Sequence, residues 1–457
     1  MIIDTHAHLT DPVFDSDRED VLKRARDAHI EYIIAVSYDL ETAKKSVTLA
    51  QQYDFIVPSL GIHPHAAQDY TGSYKEEFER LFNENEKVAV GEVGLDFYRD
   101  ISPREVQRAV FDEFLAKSVE CSLPLIIHNR DADTEIYEMI SRYPKGSLRG
   151  VFHCFSSTYE FAKKVIDLGF YISFAGPLTF TNAHDLRDAA KHIPIERILL
   201  ETDSPYLAPQ RYRGKRNEPS YITFIAEQIA QLKGLSVEDV SRITTFNARN
   251  IFRIGTNPDH GEIAYKIRDA LYLNITNACT NACTFCVRYY TDYVKGHNLK
   301  LETDPSYDEI IAAIGDPKQY KEIVFCGFGE PLLRLDIIKK VAAYVKEHGV
   351  KVRIDTNGHG NLIHKRSIVG ELKGLVDTIS VSLNAESEKE YNRVCQPKFE
   401  TNVFEEVKKF VLACKEVIPS VVITVVDQPG IDVEKCRHIA SDELGVPLRV
   451  RTLNEVG

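Results

Sequence analysis

Two consecutive α/β barrels, the first closed and the second open, are what this 457-residue sequence predicts. Three observations carry that reading. Eight short apolar, β-rich runs recur between residues 1 and 201 with helical segments between them. Metal-capable side chains stand at the C-terminal ends of five of those runs. Behind a turn-rich break, Cys279, Cys283 and Cys286 open a second series of strands that end in polar, glycine-containing turns.

The first run, residues 1–4, leads into Asp4-Thr5-His6-Ala7-His8. Residues two apart on a strand share a face, so His6 and His8 aim the same way. Two convergent imidazoles are half of a divalent-metal site. Further runs follow at residues 32–36, 55–60, 88–92, 125–128, 150–153, 171–174 and 198–201, and the stretches 18–29, 105–121 and 159–168 carry helical periodicity. Eight such units predict a closed parallel barrel with its site at the C-terminal strand ends. His6, His8, Glu92, His128, His153 and Asp203 then surround one mouth. Each alone is an ordinary polar residue at a strand end; together they suffice for two ions with a shared carboxylate. His63 and His65 end the third strand, placed to contact phosphate or to form a polar turn around Pro64. Arg211, Arg213, Lys215 and Arg216 form a basic segment just after Asp203, suited to a phosphate backbone or to a solvated loop.

The turn-rich segment around 257–261 divides a first domain, 1–256, from a second, 262–457. There a strand at 271–275 runs into the three cysteines. Three close thiols in a reducing compartment point to metal. A zinc site would take a fourth ligand, for which His297 or Cys326 is available. An iron–sulfur cluster on three thiolates leaves one iron open to a cofactor. Downstream, Phe325-Cys326-Gly327-Phe328-Gly329-Glu330-Pro331 ends a strand in a turn whose glycines permit close approach and whose Glu330 can accept from an ammonium. Strand ends at 353–358 and 379–384, and runs at 421–426 and 448–453, complete six strands of an open, partial parallel barrel. Cys326, Cys395, Cys414 and Cys436 are scattered and read as core residues.

Composition sets bounds on these chemistries. The chain is 44% hydrophobic and 27% charged, ordinary for a globular protein. No apolar run approaches the ~18 residues of a membrane span. The start has neither a basic region nor an apolar signal core, so a cytoplasmic location is expected. In that compartment the nine cysteines read as thiols or metal ligands. A net charge of −12 argues against a protein that coats nucleic acid, while leaving room for a local basic groove.

Six motifs in order carry a resemblance over residues 1–255: Asp4-Thr5-His6-Ala7-His8, Gly61-Ile62-His63-Pro64-His65, Gly91-Glu92-Val93-Gly94-Leu95-Asp96, Ile127-His128, His153-Cys154-Phe155-Ser156 and Leu200-Glu201-Thr202-Asp203-Ser204-Pro205. Together they resemble the TatD family of metal-dependent DNases, which has an amidohydrolase-like (β/α)8 TIM barrel. The resemblance implies that His6, His8 and Asp203 hold one divalent ion, that His128 and His153 hold another, and that Glu92 bridges. The ions would be Mg, Mn or Zn. Asp203 would also serve as general base, and Glu92 would offset the repulsion between the cations. The family carries a basic stretch like that at Arg211–Arg216.

Residues 262–457 resemble the radical S-adenosylmethionine (radical SAM) superfamily, a partial (β/α)6 barrel. The resemblance implies a [4Fe-4S] cluster on Cys279, Cys283 and Cys286, with Phe285 as the usual aromatic before the last cysteine. Gly327, Gly329 and Glu330 would bind the methionine amino group of S-adenosyl-L-methionine. Thr356 and Asn357 would lie near its ribose, and Ser382 and Asn384 near its carboxylate. A reductant for the cluster is expected, and a protein partner is one way to close the open barrel.

The sequence thus points to a bifunctional enzyme: two-metal hydrolysis of a nucleic-acid or nucleotide phosphodiester, and radical chemistry on a second substrate. Two other readings stand beside it. The first barrel hydrolyses another ester or an amide, or the second half is a zinc-stapled binding scaffold. Covalent linkage suggests that the two sites serve one pathway.

Overall fold

The computed structural model describes residues 1–453. The chain divides into two compact units, Met1–Asn257 and a second beginning at Pro258. In the first, eight strands succeed one another: β1 (Ile2–Ala7), β2 (Ile30–Val36), β3 (Ile56–Leu60), β4 (Ala89–Asp96), β5 (Leu125–Arg130), β6 (Gly150–Phe152), β7 (Tyr171–Phe174) and β8 (Ile198–Leu200). Each pairs in parallel with the next. A parallel bridge between Ala7 and Ser204 returns β1 to the segment behind β8. There Asp203 N donates to His6 O at 2.9 Å and His8 N to Ser204 O at 2.7 Å. This is the TIM barrel that the eight apolar runs predict.

The strands are apolar on both faces because both faces are covered. Ile33, Ala35, Val90, Ile127, Phe152 and Leu200 belong to the outer layer with the helices. The alternate residues Ile3, Ile34, Ala89, Ile126, Val151 and Leu199 fill the interior, with Ala248, Ile251 and Phe252 of the helix Val237–Phe252. That helix lies across the N-terminal end of the barrel: Asn247 Nδ2 donates to Ile198 O at 2.9 Å and Thr245 Oγ1 to Met1 O at 3.3 Å. Polar side chains are thereby left to the C-terminal mouth.

β4 runs four residues past Glu92, the predicted strand end, and carries a register shift between Val90 and Val93. Val90, Val93 and Leu95 face the outer core. The shift changes the alternation, so that Glu92, Gly94 and Asp96 line the mouth. A Cβ on Gly94 would lie 2.0 Å from His128 O, which is why β4 and β5 approach so closely here.

The second unit holds a seven-stranded sheet. Its first members are β9 (Ala264–Ile267) and β10 (Ala270–Leu273), followed by a small hairpin of β11 (Tyr293–Val294) and β12 (His297–Asn298). β13 (Glu322–Phe325), β14 (Lys351–Thr356), β15 (Thr378–Ser382), β16 (Ser420–Asp427) and β17 (Leu448–Thr452) complete it. The order is β17-β16-β15-β14-β13-β10-β9. Six strands are parallel, and β9 adds antiparallel to β10. The six parallel strands are those the sequence predicts. The edge strand β9 was not predicted: four residues, Ala-Tyr-Lys-Ile, are too short and mixed to show a period. Leu271, Phe325, Ile354, Val381 and Ile423 form the helix-covered face.

Candidate active sites

Glu92 is the centre of the first mouth and is 2% exposed. Its two oxygens face different sets of imidazoles. Oε2 lies 3.4 Å from His6 Nε2 and 3.8 Å from His8 Nε2. Oε1 lies 2.7 Å from His153 Nε2, 2.8 Å from His128 Nδ1 and 3.5 Å from His63 Nε2. Asp203 closes the first set, with Oδ1 3.3 Å from His8 Nε2 and 3.7 Å from His6 Nε2.

Burial would raise the Glu92 carboxyl, but the charges of His153 and His63 and hydrogen bonds from His128 and His153 hold it well below the usual range. Burial is likewise outweighed at Asp203, which His8 and His6 hold low and therefore ionised. His153 is pushed down by burial and pulled up further by Glu92 and Glu201, so that its net shift is well upward.

The donor set fits divalent ions. Ring nitrogens lie within 3.2 Å of one another at His6–His8 and at His63–His128. Ligands about 2.1 Å from a zinc-like ion stand about 3.4 Å apart around a tetrahedron. Two compact groups of donor atoms meet that spacing, His6–His8–Asp203 and His63–Glu92–His128; a third joins His6, His153 and Glu201. His6 Nδ1, His153 Nδ1 and Glu201 Oε2 are buried without a hydrogen-bond partner.

Four residues at this mouth were given no such place from sequence. His63, assigned to phosphate, is instead drawn in beside Glu92 and His128. Asp96 accepts from His65 Nε2 at 2.9 Å and from His128 Nε2 at 3.2 Å, and these bonds hold its carboxyl low despite burial. Glu201 accepts from Cys154 N at 2.6 Å and faces His153. Asp4, fully buried, accepts from Thr202 N at 2.9 Å and Thr202 Oγ1 at 2.6 Å, which fixes the residue before Asp203. The signal for Asp96 was present: Glu92, Gly94 and Asp96 are spaced as His6 and His8 are.

The basic segment is divided by the structure. Arg216 grips Asp17 with Nη1–Oδ1 at 2.8 Å and Nη2–Oδ2 at 2.5 Å, and donates to Val13 O. Its charge ties the loop down and is not free for substrate. Arg211 lies 5.5 Å from the Phe224 ring and Arg213 4.5 Å from that of Phe180, both exposed, as is Lys215.

In the second unit the Cys279, Cys283 and Cys286 thiols are partly exposed. Among the described residues they form no group with all three sulfurs within 4.8 Å. A single zinc, with Zn–S about 2.3 Å, would need sulfurs about 3.8 Å apart. A cubic cluster takes one thiolate per iron and spreads them. The fourth zinc ligands considered from sequence are also engaged. His297 Nδ1 faces both Glu262 oxygens at 2.9–3.0 Å and its Nε2 faces Lys266 O at 3.1 Å. Cys326 lies against Asp355 and is pushed up to about 12 by burial.

Gly327 is required by the Asn274 side chain behind β10, and Gly329 by the backbone leading into Cys279. A Cβ would come within 2.1 Å of Asn274 Oδ1 at Gly327, and within 2.3 Å of Ala278 O at Gly329. Glu330 is 2% exposed and accepts from Thr356 Oγ1 and Asn357 N at 2.7 Å and from Leu332 N at 3.0 Å. Burial raises it to about 7 against those bonds. Its bonds lock the turn onto the end of β14. Asn357 Nδ2 donates to Thr280 Oγ1 at 2.9 Å and points at Cys279 Sγ, 3.8 Å away. Behind them His359 bridges Thr280 Oγ1 and Tyr391 OH, each at 2.8 Å. Ser382 pairs with Thr424 at 3.2 Å, while Asn384 is buried with Oδ1 unpartnered. Phe285 packs on the edge of the core, and Cys395, Cys414 and Cys436 are buried.

Comparison with known proteins agrees with this division. Residues 3–253 match the model for TatD related DNase, and residues 273–442 match that for the radical SAM superfamily. An uncharacterized metal-dependent hydrolase YabD of Bacillus subtilis is 41% identical over 254 residues, covering 56% of this chain and all of that protein. A protein of Pectobacterium parmentieri named 3'-5' ssDNA/RNA exonuclease TatD is 34% identical over 259 residues, covering 55% of this chain and all of that protein. The crystal structure of YJJV, a TatD homolog from Escherichia coli K12, superposes with a TM-score of 0.53 at 27% identity, covering 56% of this chain and 98% of that one. These relatives match only the first half; the second rests on its own family model.

Proposed function

This chain belongs to the TatD-related DNase family and carries a radical SAM domain behind the hydrolase barrel, and from that membership we propose a bifunctional enzyme. The barrel hydrolyses phosphodiesters of nucleic acid or nucleotides with two divalent ions. The second domain performs radical chemistry with S-adenosyl-L-methionine and a [4Fe-4S] cluster.

For the barrel, the observation that carries the reading is the placement of the two Glu92 oxygens against two separate sets of imidazoles. His6, His8 and Asp203 would hold one ion, and His128, His153 and His63 the other, with Glu92 between. A divalent pair supplies Lewis-acid polarisation of a phosphoryl oxygen and acidifies water. The protein supplies the rest. Asp203, 8% exposed and held ionised, takes the proton of the attacking water at Oδ1. Asp96 and Glu201 orient His128, His65 and His153 from behind. Arg211, Arg213 and Lys215 remain free to steer a phosphate backbone.

In the second domain Cys279, Cys283 and Cys286 would hold the cluster. Bound S-adenosylmethionine supplies a 5′-deoxyadenosyl radical on reduction. Glu330, Thr356 and Asn357 fix the turn beside the cysteine loop, and Ser382 and Asn384 would lie near the cofactor's carboxylate. The match of residues 273–442 to the radical SAM superfamily, with the Glu330 turn held beside the cysteine loop, favours this reading over a zinc scaffold.

Changing His128 and His153 together to Ala tests the assignment. Hydrolysis of single-stranded DNA and of a bis-aryl phosphodiester is abolished, while iron content and reductive formation of 5′-deoxyadenosine are unchanged. Hydrolysis that survived would refute the metal assignment.

A further inference from the structure

The inner face of the second sheet carries charge that no step above uses. Leu448 of β17 packs on the helix-covered core. Alternation sends Arg449 and Arg451 to the opposite, interior face. Arg449 is in register with Thr424 and Arg451 with Val426. Thr424 is itself bonded to Ser382 on that face. On β14, Val352 and Ile354 enter the core, so Arg353 and Asp355 also face the interior.

Arg353 lies near two carboxylates, and the Asp355 oxygen that it approaches has no hydrogen-bond partner. Its Nη2 is 3.4 Å from Glu322 Oε1 and 3.0 Å from Tyr272 OH, and its Nε is 3.7 Å from Asp355 Oδ1. Arg449 and Arg451 are exposed and have no hydrogen-bond or ion-pair partner among the described residues. They are nevertheless not remote. Both act on the Asp355 carboxyl, opposing the upward push of burial. Arg451 also acts on the Cys326 thiol, just behind β13. Two arginines whose Cα atoms stand about 7 Å apart on one strand thus face the interior, near enough to Asp355 to act on its carboxyl but with no ion pair to it among the described residues.

We propose that Arg449 and Arg451 form an anion subsite that holds a phosphoryl group of the radical substrate, which makes that substrate a phosphate monoester. The consequence for catalysis rests on the radical SAM reading of the domain; the subsite itself does not. Two forks suit a phosphate dianion with three free oxygens, whereas a carboxylate is filled by one. A phosphate monoester is also what phosphodiester hydrolysis leaves, so the reaction class that supplies this substrate is the one proposed for the first barrel.

The test is arginine modification of the reconstituted full-length protein by phenylglyoxal, with each site followed by mass spectrometry. Inorganic phosphate or adenosine monophosphate, at ten times its Kd, slows modification of Arg449 and Arg451 by about tenfold. Exposed Arg80 serves as the control and is unaffected. Acetate gives no protection. In Arg449→Gln, phosphate no longer protects Arg451, and in Arg451→Gln it no longer protects Arg449. Absence of phosphate protection overturns the proposal and leaves the two arginines as guards of an edge strand. Protection by S-adenosylmethionine alone overturns it too, by assigning them to the cofactor's carboxylate. Phosphate protection in a protein that makes no 5′-deoxyadenosine upholds the subsite and refutes the radical reading.

Discussion

Two buried groups in the second unit give opposite pH dependences, and removing either one exposes the other. His359 has no exposed surface, and burial lowers it from 6.5 to about 4. Between those values the unfolded chain binds a proton that the folded chain refuses, so stability is complete above 6.5 and falls as pH drops toward 4. Glu330 is raised from 4.5 to about 7 by burial. The folded chain there binds a proton that the unfolded chain does not. Its contribution is complete below 4.5 and is lost as pH rises toward 7. Each shift amounts to on the order of 3 kcal/mol across its window at about 1.4 kcal/mol per unit. From pH 6.5 to 4.5 the two slopes nearly cancel. Asp355, also raised by burial, shares the sign of Glu330 but is common to every variant and drops out of the differences. The experiment is hydrogen exchange by mass spectrometry on the protein without S-adenosylmethionine, corrected for intrinsic rates, following peptides of β14 and β15. Acidification from pH 6.5 to 4.5 should destabilise Glu330→Gln by about 2–3 kcal/mol relative to wild type, and should stabilise His359→Leu by a similar amount. Parallel pH profiles for all three proteins would refute the assignment of these charges.

Asn217 has no exposed surface and donates Nδ2 to Thr202 O at 2.8 Å and Tyr206 O at 2.7 Å, while its Oδ1 accepts from Glu218 N at 2.9 Å. Asn217→Ala leaves these groups without partners, at about 3 kcal/mol in total, and loosens Asp203. Hydrolysis should fall more than tenfold, with the urea midpoint of activity loss moving down. Gly329→Ala drives a Cβ into Ala278 O and should prevent cluster assembly, read as loss of the visible absorption of reconstituted protein. Arg216→Ala should lower thermal stability by no more than about 1 kcal/mol and leave the KM for DNA unchanged, since the Arg216–Asp17 pair is partly exposed and structural.

What the sequence disclosed depended on period and spacing. Both barrels and all fourteen parallel strands could be read from apolar runs, because a buried parallel strand needs an apolar run whichever way it faces. The mouth could be read because strand-end ligands recur in register. The misses have local causes. The shift after Val90 lengthened β4 and turned Asp96 inward, and no simple alternation foretells a shift. His63 looked like a turn residue because its neighbour is Pro64; only the closed barrel brings it to His128. Arg216 looked free because Asp17, far away in sequence, could not be known as its partner.

The most direct test of the two-ion barrel is the divalent-metal content of purified wild type and Glu92→Gln, measured by mass spectrometry beside phosphodiester hydrolysis. Wild type should hold two divalent ions per barrel at full activity. Glu92→Gln should hold one or none, with hydrolysis reduced by at least about a hundredfold, or roughly 3 kcal/mol of lost transition-state stabilisation. A Glu92→Gln protein that kept both ions and the wild-type rate, or a wild type fully active with one ion, would contradict the account.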